Sequence, residues 1–346
     1  MGAVESALVE LGVCAPVMAA PMAGGPSTPD LVAAAAAAGA FGFLAAGYLT
    51  TQALAGQIAT TRGLTDRFGV NLFVPNPVPV DPVAFRRYAG ALAPEALRYG
   101  LDLSGAEIVE DDDAWPQKVD LLVADPVPLV SFTFGIPDGS VVRALRQAGS
   151  VTAQTVTCVQ EAVAAREVGV DVLVVQAFTA GGHWGTLTPD RPPARRPLTE
   201  LVRAVRSQVP LPVLAAGGMG TPAEITDVLG AGADAVVVGT VLLPSPESGA
   251  SAVHKAALVE GTHGSPTLTR AFSGRPARAL FNTFVSRFDP IAPLGYPAIH
   301  HLTSPLRRAA ARAGDPEMVN LWAGTGYRHA SESPVAATLN WLASEA

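Results

Sequence analysis

The sequence predicts an α/β chain folded as a (β/α)8 TIM barrel, with a smaller helical subdomain appended at its C-terminal end. Three observations lead there. Short apolar runs alternate eight times with stretches of helical spacing, as in successive βα units of a parallel sheet. The apolar runs are continuous rather than alternating, the pattern of strands covered on both faces. Eight units over about 260 residues match the usual length of such a barrel, and the rhythm fails after Gly264. A doubly wound sheet stays open at this point, because strand count does not fix closure.

The elements follow in order. Residues 15–22 (APVMAAPM) form the first strand. Residues 29–39 form a helix, with Thr28 as its cap and Gly39 as its stop. The second strand is 41–47, followed by a helix at 50–63. The third is 68–75 (FGVNLFVP), followed by a helix at 82–100. A polar stretch, 101–125, carries a further helix whose acids (DDDA) sit at the positive end of its dipole. The fourth strand is 128–135 with a helix at 140–149, and the fifth is 150–156 with a helix at 159–169. The sixth, 170–177, leads through a Pro- and Arg-rich loop (188–197) to a helix at 198–209. The seventh is 211–218 with a helix at 221–232, and the eighth is 233–243 with a helix at 248–261. The barrel is thus assigned to residues 12–264. A mostly helical subdomain is assigned to 265–346, with short helices at 305–313, 317–323 and 335–346 packing over the barrel.

Composition narrows the function. Of 346 residues, 49% are hydrophobic and 15% charged, enough for a large core. The net charge is −7 and no basic stripe occurs, which argues against nucleic acid. Cys14 and Cys158 lack metal or redox spacing and read as small core residues. The first fourteen residues carry Glu5 and Glu10 without a basic leader region. The MGAVES start fits a myristoylation pattern through Ser6, taken as chance. No apolar run is long and pure enough to span a bilayer, so a cytoplasmic protein acting on a small molecule is expected.

In this barrel chemistry belongs at the carboxyl ends of the strands. The seventh strand ends in AAGGMG (Ala216, Gly217, Gly218, Gly220) and the eighth in VGT (Gly239, Thr240). Glycines there let backbone N–H groups approach phosphate oxygens. A helix N-terminus adds partial positive charge, and the threonine adds a hydroxyl donor. Tight turns without a ligand are the plainer alternative. The first strand ends in APMAGG, where Gly24 and Gly25 would admit a flat ring; a Gly-Pro turn explains the glycines equally well. Asn71 and Gln176, at the ends of strands three and six, must pair with either a ligand or backbone. In QAFTAGGHWG (176–185), His183 is the one histidine flanked by glycines at the expected active face, poised as a base or merely on a turn. His300 and His301 have no strand-end context. SGRP (273–276) and the group Arg191, Arg195 and Arg196 could bind an anion, but read better as solvated loops.

Taken in register, APMAGG, GVNLF, VSFTFG, AGGHWG, AAGGM and VVVGT resemble the nitronate monooxygenase family over residues 12–282. The resemblance implies an FMN-binding barrel with a smaller helical domain. Ala20, Pro21, Met22 and Ala23 would touch the isoalloxazine, Asn71 and Gln176 would hydrogen-bond it, and Gly181 and Gly182 would border it. Ala216, Gly217, Gly218, Gly239 and Thr240 would hold the phosphate end. His183 would take the α-proton of a nitroalkane, or orient an already deprotonated nitronate, which the flavin and O2 convert to a carbonyl compound and nitrite. Two residues depart from the pattern. Thr133 stands where many similar proteins have histidine, and Trp184 is bulky for its place. The same superfamily holds NAD(P)H-dependent enoyl-acyl carrier protein and quinone reductases, which implies a reductase as the alternative. A phosphate-ligand-binding barrel without redox chemistry is the third.

Overall fold

The computed structural model describes Leu11 and residues 15–346. Cys14 and the MGAVES start lie outside these residues. Eight parallel strands close a barrel: β1 (Val17–Ala19), β2 (Gly42–Ala45), β3 (Phe68–Phe73), β4 (Leu129–Thr133), β5 (Val151–Val156), β6 (Val172–Gln176), β8 (Val213–Ala216) and β9 (Ala235–Val238). The closing pair is β9 on β1, with Val17 opposite Val236 and Ala19 opposite Val238. A short strand, β7 (Gly182–His183), stands outside the barrel between β6 and β8. The seventh and eighth expected strands are therefore β8 and β9.

The helices on the barrel are α1 (Pro29–Ala37), α2 (Thr51–Arg62), α3 (Pro82–Arg98), α4 (Trp115–Ala124), α5 (Gly139–Gln147), α6 (Val159–Val168), α7 (Leu198–Arg206), α8 (Pro222–Gly230) and α9 (Ala252–Glu260). Their starts follow from the residues before them. Thr28 accepts the N–H of Leu31 at 3.0 Å, and Thr50 and Asp81 do the same for α2 and α3. Thr221 and Glu224 close α8 with a reciprocal capping box. The acids before α4 do not cap it. Ala114 holds the cap position in a left-handed conformation, while Asp113 pairs with the buried Lys118 at 2.7 Å and accepts the Tyr48 N–H at 2.8 Å. The charge of Lys118 claims the carboxylate before the dipole can.

Two packing layers hold this arrangement. Met18, Phe43, Leu129, Ala153, Val172 and Leu214 fill the barrel, and Leu31, Val202, Val205 and Ile225 press on its outer face. Cys158 is half-buried before α6 rather than in the core.

Beyond α9 come β10 (Gly264–Thr269), β11 (Ala277–Phe281), α10 (Thr283–Phe288), α11 (Ala298–Arg312) and α12 (Val335–Leu342). The helix expected at 305–313 begins earlier, at Ala298, with Pro305 inside it. That expected at 317–323 is a single tight turn at Pro316–Met318, because Trp322 is drawn into a bridge with Ala279. Strands β10 and β11 are antiparallel, and β11 pairs with β7, placing Ala277 opposite His183 and Arg278 opposite Gly182. A second apolar cluster joins Phe85, Tyr88 and Leu92 of α3 to Phe272, Phe284, Phe288, Leu302 and Leu306. Helix α12 returns to the barrel, its Val335 and Leu339 in the layer that holds Leu31 and Ile225. No described helix is long and apolar enough to cross a membrane.

Candidate active site

The carboxyl ends of β8, β9 and β1 meet. A Cβ built on Gly239 would lie 3.4 Å from Ala20 Cβ and 3.4 Å from Met22 Sδ, so Ala20, Met22 and Gly239 line one wall. Ala20–Ala23 are partly exposed there, and the Met22 N–H is taken by Ser27 Oγ at 2.8 Å. Among the described residues, the N–H groups of Gly217, Gly218, Gly239 and Thr240 donate to no protein acceptor. Thr240 Oγ1 accepts the N–H of Gly324 at 3.0 Å, which leaves its own hydrogen free to donate. These groups form a donor nest suited to a phosphate. The helix dipole contributes less than expected: the Glu224 carboxylate accepts the N–H groups of Gly220 (2.8 Å) and Thr221 (3.1 Å), so the N-terminus of α8 is already occupied.

A loop from the C-terminal part closes over this nest. Thr325 N–H donates to Thr179 O at 3.0 Å, and Cβ atoms added at Gly181 or Gly218 would collide with Gly324 or Thr325. The run AGTG (323–326) escaped the sequence analysis. Its glycine spacing was a usable signal, but nothing local tied it to the barrel mouth.

Gln176 holds the next loop. Its Oε1 accepts the Gly185 N–H at 2.7 Å and its Nε2 donates to His183 O at 3.3 Å, folding AGGHWG back onto β6. Its amide therefore pairs with backbone. Trp184 is buried beneath that loop, its backbone N–H bonded to Pro276 O. Asn71 Nδ2 donates to Ser131 Oγ (2.9 Å) and Thr133 Oγ1 (3.0 Å), while its side-chain Oδ1 has no donor among the described residues.

His183 is held by the C-terminal part. Its backbone is in β7, and Nε2 lies 2.8 Å from Ser273 Oγ. Phe134, Tyr296 and Trp322 surround the ring, with centroids at 5.5, 5.9 and 5.3 Å. Burial, and then the positive charges of Arg275 and Arg307, push the imidazole down to about 3. At neutral pH it is an uncharged hydrogen-bonding group and a weak base. SGRP is not a solvated loop: Ser273 and Arg275 are buried, whereas Arg191, Arg195 and Arg196 are exposed. Attachment to β11 draws the turn inward.

Phe134 and Tyr296 also border an open cavity of about 730 Å³ above β2, β3 and β4. Tyr48, Phe73 and His300 line it, and Glu110 to Asp113 form part of its rim. His300, which has no strand-end context in sequence, stacks on Tyr48 at 3.9 Å. His301 reaches Asp111 at 2.9 Å across the rim.

Residues 5–345 match the family model described as nitronate monooxygenase. The chain belongs to the nitronate monooxygenase family. It is an oxidoreductase on that ground. A probable nitronate monooxygenase of Staphylococcus aureus is 34% identical over 326 residues, covering 92% of this chain and 90% of the relative. Nitroalkane oxidase from Streptomyces ansochromogenes superposes with a TM-score of 0.92 at 46% identity, covering 98% of each chain. FabK from Thermotoga maritima superposes at 0.76 with 24% identity, a likeness of fold alone. The nitronate monooxygenase family thus accounts for the barrel, and the geometry above is this chain's version of its mouth.

Proposed function

We propose that this chain is an FMN-dependent enzyme that oxidises nitronates with O2 to a carbonyl compound and nitrite. The observation that carries the proposal is a neutral, partly buried His183 at the same mouth as the glycine donor nest of β8 and β9. The nest fits the phosphate of a mononucleotide, with N–H groups of Gly217, Gly218, Gly239 and Thr240 as its donors. The small residues Ala20 and Ala23 leave room for a flat ring beside Met22. When bound, FMN supplies the electron transfer between the nitronate and oxygen.

The chain's own residues do the rest. Gln176 fixes the loop that carries His183, and Ser273 holds its Nε2. Phe134, Tyr296 and Trp322 keep water from the imidazole. A base with a pKa of about 3 removes a carbon-bound proton poorly, so it suits a nitronate, whose α-proton is already gone. His183 then orients the substrate oxygens by hydrogen bonding. The relatives, a probable nitronate monooxygenase and a nitroalkane oxidase, support the same substrate class.

Purified protein is assayed for aerobic nitrite release from propionate 3-nitronate and from alkyl nitronates. Nitrite formation in proportion to flavin content is expected. Flavin bleached rapidly by NADH or NADPH without oxygen, and no nitrite, would replace the proposal with the reductase alternative. Protein lacking flavin absorbance would favour the non-redox barrel.

A further inference from the structure

The turn Ser273-Gly274-Arg275 buries a charge that forms no ion pair among the described residues. Arg275 is fully buried. Its Nη2 donates to Thr186 O, and its guanidinium carbon lies 4.1 Å above the Phe134 ring and 5.8 Å from that of Tyr296. Nε and Nη1, three of the five N–H bonds, have no acceptor. Arg307 is a second buried cation, its Nε on Thr303 Oγ1 at 3.1 Å and its Nη2 beside His300 Nδ1 at 3.2 Å. Neither arginine has a carboxylate within ion-pair distance among the described residues.

The nearby acids do not pair with either arginine: the negative charge of Glu161 is felt at Arg275, but without contact, its oxygens being taken by neutral donors. Glu161 accepts from Thr157 N–H and Oγ1, Thr186 Oγ1 and Leu187 N–H. Asp113 is paired with Lys118. The rings that face Arg275, Phe134 and Tyr296, are the same rings that face His183. His300, next to Arg307, reaches Tyr296 at 6.4 Å. Two buried cations without an ion-pair partner among the described residues therefore stand behind the aromatic wall of the His183 site. An unpaired buried charge is costly, so a fold that keeps two close together gains where a counter-charge arrives from outside.

We propose that Arg275, seconded by Arg307, determines substrate charge: it makes the His183 site selective for an anion, the nitronate, over the neutral nitroalkane of the same carbon skeleton. This rests on the nitronate-oxidising reading above. Arg275 acts through the Phe134–Tyr296 wall, by its field rather than by contact. Nε and Nη1 are themselves buried, and the low polarity of the facing rings leaves the field weakly screened.

The test uses flavin-loaded enzyme at matched occupancy. For Arg275→Met, kcat/KM is measured for a nitronate and for its parent nitroalkane, together with inhibition by nitrite. The nitronate-to-nitroalkane ratio should fall by roughly 10- to 30-fold, the effect of one unit charge at about 8 Å and an effective dielectric constant of about 20. The nitrite inhibition constant should rise by a similar factor. Arg275→Lys, which keeps the charge, should hold both within about threefold. An unchanged ratio, or equal losses on both substrates, overturns the proposal and leaves Arg275 a packing residue. FMN affinity falling while the ratio holds also overturns it, because the charge then serves the cofactor. If Arg275→Met does not fold, Arg307→Met is read in the same way, with the same direction expected. Nitrite binding is also followed by calorimetry, without turnover. Nitrite binding that depends on Arg275 in a chain that oxidises no nitronate removes the functional reading and keeps the anion site. Nitronate oxidation with nitrite binding indifferent to Arg275 does the reverse.

Discussion

Gly239→Ala separates the phosphate grip from the fold. Gly239 has φ −125° and ψ −62°, outside the left-handed region. An alanine Cβ would meet its nearest neighbours, Ala20 Cβ and Met22 Sδ, at 3.4 Å, an ordinary contact. The methyl therefore fits the protein alone. The expected cost to the flavin-free fold is at most about 1 kcal/mol, or roughly 2–4 °C in melting temperature. A bound phosphate meets the same methyl where the backbone must approach it. Losing one charge-assisted N–H···O contact costs about 1.5–3 kcal/mol, so the FMN dissociation constant should rise roughly 10- to 150-fold. Gly218→Ala is the contrast: φ is +82° and its Cβ would collide with Thr325 Oγ1, so the fold itself should suffer. Gly217→Val, at φ +127°, is strained in the same way. The assay is fluorescence titration of FMN into flavin-free protein, with melting curves of the same samples. An unchanged FMN affinity in Gly239→Ala would refute the placement of the phosphate. A fall of more than about 10 °C in the flavin-free melting temperature would refute the reasoning about room.

Three further outcomes are expected. His183→Asn should lower oxidation of a neutral nitroalkane by roughly 10²-fold, the low end for a general base because this base is weak, and oxidation of pre-formed nitronate by much less; equal losses at matched flavin content would assign His183 to binding alone. Because burial beside Arg275 and Arg307 holds His183 at about 3, kcat/KM for a nitronate should show no His183-dependent inflection between about pH 5 and 8; an inflection near 6.5 that His183→Asn abolishes would contradict the electrostatics. His254, buried in α9 with Nε2 2.9 Å from Trp322 O, is pushed down to about 4 by burial, partly offset by that bond. The unfolded chain protonates it near 6.5, so its contribution is complete above about pH 6.5 and is lost as pH falls toward 4, roughly 2–3 kcal/mol by pH 4.5. Urea unfolding of His254→Gln across this range should show a correspondingly weaker acid loss, and an identical pH slope would sink the assignment.

The barrel was legible in the sequence because its causes are local. Strands β1 to β6, β8 and β9 are apolar runs covered on both faces, and the cap at Thr28 is read from a single residue. The glycines after β8 and β9 could be placed at the mouth because any such barrel puts strand ends there. What surrounds His183 was not legible. Strand β7 is two residues long and exists through pairing with Ala277 and Arg278, nearly a hundred positions away. SGRP looks soluble in sequence because two of its four residues are polar. It is buried because β11 carries it under Phe134 and Tyr296. The 323–326 glycines reach Gly181 and Gly218 through the bridge of Trp322 to Ala279. Periodicity and capping act over a few residues, so sequence alone determined the eight βα units and their strand ends, while closure rests on the pairing of β9 with β1. The charge, dryness and aromatic walls of the site come from chain segments joined only by tertiary packing, which no local pattern encodes.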